Sequence, residues 1–336
     1  MDFSRSYSAS WRVFRVNRDT WADGDRINDV DSFKITKTAD GSLLESGNIT
    51  VTGEFEPDYY RVVMTAEQGG EVERIDLATL LFDVTGGNEN YGRTVHETNG
   101  HSVLYPASVT TIIAGEYAPA GVNGANYAAQ LLRSAINAPV EVEGSFVLND
   151  HVVHEIGSNV LEAVWNVLEA GGFVIQIDGK GVVHIRPKPT EPSLVLTADN
   201  MRLLTNGVDF TTDISEIPNR YVVIVDQSKV IAANNDPRSS VSTVSRGYCV
   251  DQVDESPTTV NGETYTAYAE RKLKEASVMI EEHTYTRELA PDVNLYSIIR
   301  ASISALQGDL RVSSQTVSCD HGITIQEKAY REIPLW

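Results

Sequence analysis

Residues 157–188 read GSNVLEAVWNVLEAGGFVIQIDGKGVVHIRPK and carry the clearest structural pattern in the chain. In their first half the apolar residues recur at the spacing of one helix face, and they are Val160, Leu161, Val164, Val167 and Leu168. Ser158 or Asn159 can cap this helix by accepting a backbone N–H, and Gly171 can take the left-handed conformation that ends it. We expect the Trp165 ring to join Val160, Val164 and Leu168 in the domain core.

The second half of the same stretch predicts a β-hairpin. Phe173–Asp178 and Val182–Arg186 are short runs rich in Val and Ile, and Gly179–Gly181 supplies a tight turn between them. Pro187 and Pro189 end the second strand. A helix followed by a hairpin forms a small α/β unit, so we expect it to pack on neighbouring strands.

The length of 336 residues predicts two or three domains. No run approaches the ~20 apolar residues of a membrane span, and Met1–Arg5 has no apolar signal-peptide core, so we expect the chain to fold in a cytoplasm. Cys249 and Cys319 form no metal motif, and we expect two reduced, buried thiols rather than a disulfide.

The formal net charge is −20, from 47 acidic and 27 basic residues. The acidic residues are scattered along the chain, so they form no disordered acidic tail. This balance argues against ordinary DNA binding, which needs basic groups against phosphates. It fits a soluble monomer, or a surface that nucleic acid must pass without adhering.

Residues 1–120 have a mostly β pattern. Gly69–Gly70 predicts a hairpin turn, and Ser42–Glu45 fits a capping box that predicts a short helical turn. Short strands at this spacing suggest a barrel or a sandwich. The predicted strands are Trp11–Val16, Asp31–Lys37, Asn48–Thr52, Tyr59–Ala66 and Arg74–Val84.

Residues 121–192 and 193–336 are predicted to form two further domains. The first adds a helix at Asn126–Ala138 and a strand at Val140–Glu143 to the opening stretch. In the second, Thr266–Glu282 predicts a helix rich in Ala, Glu and Lys, with inner positions at Tyr268, Leu273, Ala276 and Ile280. The other predicted strands are Asn219–Asp226, which we expect to be central, Ser297–Ile303, Gly308–Ser318 and Gly322–Glu332.

One histidine cluster could carry chemistry, namely His151, His154 and Glu155. A zinc hydrolase needs two His one helical turn apart, a third ligand and a base. Here the spacing is one residue short of HExxH, and the acid follows the second His. We therefore expect a strand or loop that leads into the helix.

Asp23, Asp25, Asn28, Asp29 and Asp31 resemble a cation loop, but their order does not fit an EF-hand, and we expect a solvated turn. The chain has no GxSxG, no phosphate-binding Gly loop and no CxxC pair. We predict no enzyme activity and no catalytic, cofactor-binding or metal-binding residues.

The order of parts resembles the tail hub proteins of long-tailed bacteriophages, which include baseplate hubs and the N-terminal part of tail-associated proteins. Leu289–Asn294 stands where many relatives carry a Pro-x-x-x-Gly-Asp turn, although this chain lacks the Gly-Asp. The resemblance covers most of the chain. The segments that carry it are Ser193–Asp226, Ala269–Leu273, Leu306–Gln315 and Ile323–Glu327.

The resemblance implies an α+β, mainly β fold: two barrel-like domains of the tail-tube type (1–120 and 193–336) around a small α/β domain (121–192). It implies a homotrimeric ring at the tail tip of the virion, assembled in the host cytoplasm. The implied partners are the distal tail or tail-tube protein ring, the central spike or fibre and the tape measure protein. DNA passes through the lumen without specific binding. Because the last predicted strand ends close to Trp336, we expect no appended enzyme.

The net charge adds one expectation to this resemblance. Three chains bring a large negative surplus to the ring, so we expect an acidic inner wall that repels phosphate. Two alternatives belong to other classes of protein. One is a tail-tip or cell-surface hydrolase that uses His151, His154 and Glu155, and the other is a monomeric carbohydrate-binding β protein.

Overall fold

The computed structural model of the protein describes residues 1–3, 5–83, 87–90, 92–115, 117–199, 204, 208–225, 228–288, 293–303, 306–319 and 323–336. It does not describe the side chains of residues 90, 213, 319 and 323. Residues 289–292 of the predicted turn therefore lie outside the described residues. Within the described ranges the fold is α+β and mainly β, as predicted.

Among the described residues eight strands precede the first helix, and they include the strands predicted for residues 1–120, except that Val84 lies outside the described residues. Gly69 and Gly70 both have positive φ in the predicted turn between the fifth and sixth strands. Ser42–Glu45 is a turn rather than the helical turn predicted, because Leu44 takes a left-handed φ of 64°. The strands are β1 Ser8–Val16, β2 Asp23–Ile27, β3 Val30–Thr38, β4 Glu45–Thr52, β5 Asp58–Gln68, β6 Glu71–Phe82, β7 Gly87–Asn90 and β8 Arg93–Ser102.

The middle of the chain contains the predicted helix and hairpin. Asn159 caps the helix by accepting from the Glu162 N–H. Gly172 takes the left-handed conformation that we expected at Gly171. The elements are α1 Tyr105–Val109, β9 Tyr117–Ala118, α2 Gly124–Ala135, β10 Val140–Val142, β11 Val152–Val153, α3 Val160–Ala170, β12 Phe173–Ile177 and β13 Val183–Pro187.

The core of this middle region lies between α2, α3 and the three-stranded sheet β10-β13-β12. Val160, Val164 and Leu168 are buried there, as the helical spacing predicts. The Trp165 ring, in contrast, is only partly buried and packs at the edge of the cluster. It donates from Nε1 to the Ser42 carbonyl at 3.1 Å, which joins α3 to the β3–β4 turn.

The last third of the chain returns to strands. The predicted helix Thr266–Glu282 is too long: it ends at Ala276, and Ile280 is exposed in a strand, not inside a helix. The run Val278–Ile280 favours a strand and pairs there with the last strand of the chain. The elements are β14 Pro192–Leu196, β15 Asp209–Asp213, β16 Arg220–Val225, β17 Ser228–Ala233, α4 Thr243–Arg246, β18 Asp251–Asp254, α5 Tyr265–Ala276, β19 Val278–Arg287, β20 Ile298–Ile303, β21 Leu306–Cys319 and β22 Ile323–Pro334.

Strands from both ends of the chain form one large sheet, in the order β15-β19-β22-β21-β3-β4-β8-β6-β5-β1-β2. Its two parts join where residues 314–319 of β21 pair with residues 33–38 of β3. A separate sheet, β17-β16-β18, packs against α5, and β16 is central in it, as predicted. Two apolar cores divide the large sheet into layers. One lies between β3-β4 and β6-β5-β1, and the other lies between β19-β22-β21 and β14-β20.

Among the described residues the path of the large sheet is open, and no closed barrel forms, in contrast to the two barrels that we expected. Cys249 is a free thiol and is exposed, so the prediction of burial was wrong for this residue. None of the helices in the described ranges is long and apolar enough to span a bilayer.

Candidate functional surfaces

The predicted hydrolase residues are not brought together. The His154 ring is buried, stacks on Tyr127 at a centroid distance of 5.7 Å, and places Nε2 at 3.0 Å from the Tyr127 hydroxyl. His151 and Glu155 are exposed, and the His151 ring lies against Tyr117. In the part of the chain that the structure describes, no group of three or more His, Cys, Asp or Glu could hold a metal ion. This geometry gives His154 a packing role.

The acidic segment Asp23–Asp31 is tied into the sheet. Asp23 lies in β2 and makes ion pairs of 2.6 Å with Arg61 and with Arg74. Asp31 accepts a hydrogen bond from the Thr52 hydroxyl at 2.9 Å. These contacts leave two of the predicted cation ligands occupied by the protein itself.

The sheet presents a broad polar surface that we name the hydroxyl face. Directly opposed residues of neighbouring strands share a face, so the register assigns its members across six adjacent strands. Each member is exposed or half-buried. They are Glu282, Thr284 and Thr286 of β19; Thr324, Gln326 and Lys328 of β22; Ser314, Thr316 and Ser318 of β21; Ser32, Lys34 and Thr36 of β3; Ser46, Asn48 and Thr50 of β4; and Glu97 and Asn99 of β8.

The hydroxyl face differs from the rest of the protein in its charge. Its charged members are two lysines and two glutamates, which cancel, and every other member is Ser, Thr, Asn or Gln. The whole net charge of −20 therefore resides elsewhere on the chain. Beyond these members the register continues the same side to two exposed acidic residues, Asp209 of β15 and Glu332 of β22. With strands about 4.8 Å apart, the face is about 24 Å wide. A surface of this size whose members carry no net charge and few apolar groups should bind a charged polymer weakly.

The opposite side of the same strands carries a row of buried polar residues. Tyr285, Glu327, Gln315, Lys37 and Glu45 oppose one another in sequence across β19, β22, β21, β3 and β4. All five are buried. The row crosses the β21–β3 junction by backbone pairing, with Gln315 opposite Lys37. Its side-chain contacts lie on either side of this junction, around Glu327 among the C-terminal strands and between Lys37 and Glu45 among the N-terminal strands.

Glu327 makes most of the side-chain hydrogen bonds in this row. Its carboxylate accepts from Arg287 at 2.7 Å, from Tyr285 at 2.5 Å and from Gln315 at 2.7 Å. The side chains of Arg287 and Glu327 are both 0% exposed. Burial, and then the charge of Glu327, raise the pKa of Tyr285 well above its ordinary value. Tyr285 therefore remains a neutral donor to this carboxylate.

Glu45 ends the row in a poorer environment. Its nearest cation is Lys37, at 3.8 Å, and neither carboxylate oxygen accepts a hydrogen bond from the described residues. Burial, with Asp178 adding to it and Lys37 opposing it, raises the pKa of Glu45 from 4.5 to about 7. Because the native state binds this proton more tightly than the unfolded chain does, the contribution of Glu45 to stability is full below pH 4.5 and is lost as pH rises through 7.

We expect Glu45→Gln to flatten the pH dependence of stability. Relative to the variant, wild type should lose about 3 kcal/mol of unfolding free energy between pH 4.5 and 8, since each unit of pKa shift is worth about 1.4 kcal/mol. Urea unfolding of both proteins across this range measures the effect. The exposed Glu97→Gln is the matched control and should follow wild type. Parallel curves for wild type and Glu45→Gln would contradict the prediction.

Sequence reasoning missed both the hydroxyl face and the buried row. The alternation of residues within β21 shows that one of its sides is polar, but only the register between strands joins these sides into one surface.

The α3–hairpin unit, in contrast, was predicted from local pattern, and it packs against the sheet. Arg61 donates to the Lys180 carbonyl at 2.9 Å and the Thr79 hydroxyl to the Gly179 carbonyl at 3.0 Å.

No family model and no curated protein matches this sequence, but solved structures share its fold. The tail protein from Neisseria meningitidis MC58 has 12% identity and a TM-score of 0.67, over 97% of each chain. The 43 kDa tail protein of prophage MuSo2 from Shewanella oneidensis has 14% identity and a TM-score of 0.64, over 96% of this chain and 98% of that one.

A third similar structure comes from a secretion system. The E. coli c3393 protein is a component of the type VI secretion system with structural similarity to the T4 bacteriophage tail proteins gp27 and gp5. It has 10% identity and a TM-score of 0.51, over 91% of this chain and 73% of that one. These likenesses span almost the entire chain, including the middle region. The chain therefore has the fold of phage tail proteins, as its resemblance to the tail hub family predicts.

Proposed function

We propose that this chain is a structural tail hub protein whose copies form a ring through which DNA passes. The observation that carries the proposal is the hydroxyl face, which continues without interruption from the N-terminal strands to the C-terminal strands. A wall past which a polyanion moves needs no binding groups, and a neutral surface of hydroxyl and amide groups meets that need. We propose this face as the inner wall in place of the acidic wall that the net charge led us to expect.

The layer that bears the hydroxyl face also has free edges. It ends at β15 on one side, which pairs only with β19 among the described strands, and at β7 on the other, which pairs only with β8. Free edges are stabilised when they pair with another strand. Pairing of β15 with β7 of a neighbouring copy would close the layer into a ring. We propose three copies, as in the tail hub family.

Phe210 supports pairing at the β15 edge. It opposes His283, which is buried, so its ring lies on the core side of the layer. The ring is nevertheless 73% exposed, because β15 is the last strand. An apolar ring in this position extends the core beyond the edge and fits a neighbouring copy that covers it.

The partners and divisions of the chain follow from the same proposal. The ring would join the distal tail or tail-tube ring to a central spike or fibre at the virion tail tip, with the tape measure protein inside. Residues 1–120, 121–192 and 193–336 would be its three domains. Assembly would take place in the host cytoplasm. A structural role also fits the separated positions of His151, His154 and Glu155.

We expect Phe210→Asp to abolish assembly without unfolding the chain. In sedimentation experiments wild type should run at three times the chain mass of 36.9 kDa, and the variant as a single chain. Because the Phe210 side chain is exposed within one copy, the variant should unfold at nearly the same denaturant concentration as wild type when both are measured as monomers. Val72→Asp, at a valine that is 67% exposed on another edge, is the control and should remain a trimer. A monomeric wild type would contradict the proposed ring of three copies.

A further inference from the structure

A cleft of about 590 Å³ opens between α3 and the β3–β4 turn, outside the surfaces described above. Its walls come from the turn at residues 39–42, helices α1 and α3, the start of β12, and the segment before β20. The residues that matter for its chemistry are Asp40, Ser42, Glu162, Trp165, Glu169 and Tyr296. The cleft therefore combines aromatic rings with carboxylates.

The aromatic walls are held in place by hydrogen bonds to the backbone. Trp165 donates from Nε1 to the Ser42 carbonyl at 3.1 Å, so its indole is fixed across the gap between α3 and the turn. The Tyr296 hydroxyl donates to the Ala39 carbonyl at 3.4 Å. Burial, and then the negative charge of Asp40, raise the pKa of Tyr296 to about 12, which leaves this ring neutral.

The charge in the cleft is all of one sign. Asp40, Glu162 and Glu169 line it, and none of its described lining residues is Lys, Arg or His. Glu169 has a partner outside the cleft, Lys272, at 3.4 Å. Asp40 and Glu162 make no ion pair with the described residues. Two carboxylates are thus left beside a fixed indole ring.

We propose that this cleft binds an arginine side chain of a protein other than this chain. A guanidinium group can lie flat on an indole and direct its N–H groups at carboxylates in the same plane. A lysine would present only a point charge and would use the ring less well. Since this chain has a net charge of −20, a basic partner complements it better than a second copy does. The proposal stands whether or not the protein is a tail hub.

The test uses the blocked tripeptide acetyl-Gly-Arg-Gly-amide as the probe. Its control replaces arginine with citrulline, which has the same shape and no charge. Calorimetric titration of the wild-type chain should give saturable binding of the arginine peptide that weakens with added salt. The citrulline peptide should bind at least about tenfold more weakly. Equal binding of the two peptides, or no binding of either, would overturn the proposal without the use of any variant.

Variants then locate the binding. Asp40→Asn with Glu162→Gln removes the two charges but keeps the side-chain shapes, and it should weaken arginine binding by about tenfold or more. The matched control, Glu97→Gln with Glu282→Gln on the hydroxyl face, should bind as wild type does. Binding of the arginine peptide against the Trp165 indole should change the tryptophan fluorescence of the wild-type chain, and Trp165→Phe should remove this change but keep part of the affinity. Unchanged binding by Asp40→Asn/Glu162→Gln would overturn the site. Dissociation of the wild-type oligomer by the probe would identify another copy as the occupant and would also overturn it.

Discussion

Replacing Arg287 with methionine is expected to cost about 3–5 kcal/mol of unfolding free energy, because it leaves the Glu327 charge buried without its cation. Both side chains are fully buried, and the ion pair measures 2.7 Å. Methionine fills much of the volume of the arginine, so the loss reports on the charge more than on a cavity. Denaturant titration at neutral pH gives the value directly.

Two further variants separate the effect of the buried charge from the effect of replacing any paired arginine with methionine. Arg300 forms an ion pair of 2.7 Å with Asp309, but the two side chains are 53% and 46% exposed. Solvent screens such a pair, so Arg300→Met should unfold at nearly the same denaturant concentration as wild type. The double variant Arg287→Met/Glu327→Leu removes both buried charges and should recover much of the lost stability. A double variant as unstable as Arg287→Met would show that hydrogen bonds to Tyr285 and Gln315 dominate.

The parts of the fold that sequence predicts are those that short-range pattern determines. The α3–hairpin unit depends on apolar spacing, a cap at Asn159 and a turn with Gly181 at positive φ, and all of these lie within a short stretch. The prediction for Thr266–Glu282 was wrong in its last part because helix formers such as Lys274 and Glu275 precede Val278 without a Gly or Pro to mark the boundary. Strand pairing with β22 determines the conformation there.

The candidate surfaces depend on contacts between distant residues, which no local pattern contains. Arg287 and Glu327 are 40 positions apart, and Trp165 and Ser42 are 123 positions apart. The hydroxyl face requires the pairing of β21 with β3, two strands from opposite ends of the chain. Net charge alone predicted an acidic wall, since composition does not show which side of a strand an acidic residue occupies.

We expect three lysines on the hydroxyl face to make this surface, the proposed inner wall of the ring, bind DNA. The substitutions are Ser46→Lys, Asn99→Lys and Gln326→Lys, on β4, β8 and β22, at exposed members of the face. In a trimer they add nine positive charges around one channel. If all nine meet phosphates, the logarithm of the binding constant should fall with the logarithm of salt concentration at a slope near −8. That slope implies a loss of about 10⁵-fold in affinity between 50 and 200 mM salt.

DNA topology tests whether the lysines face a closed channel. Linear duplex can enter a preformed ring by its end, whereas covalently closed circular duplex cannot. The variant should therefore retain linear DNA at low salt and leave closed circles free, and wild type should retain neither. Lysines at Ser228, Ser240 and Thr266, which are exposed but lie off the face, are the matched control and should add no preference for linear DNA. Equal retention of circular and linear DNA by the hydroxyl-face variant would place its lysines outside a channel and would refute the proposed lumen.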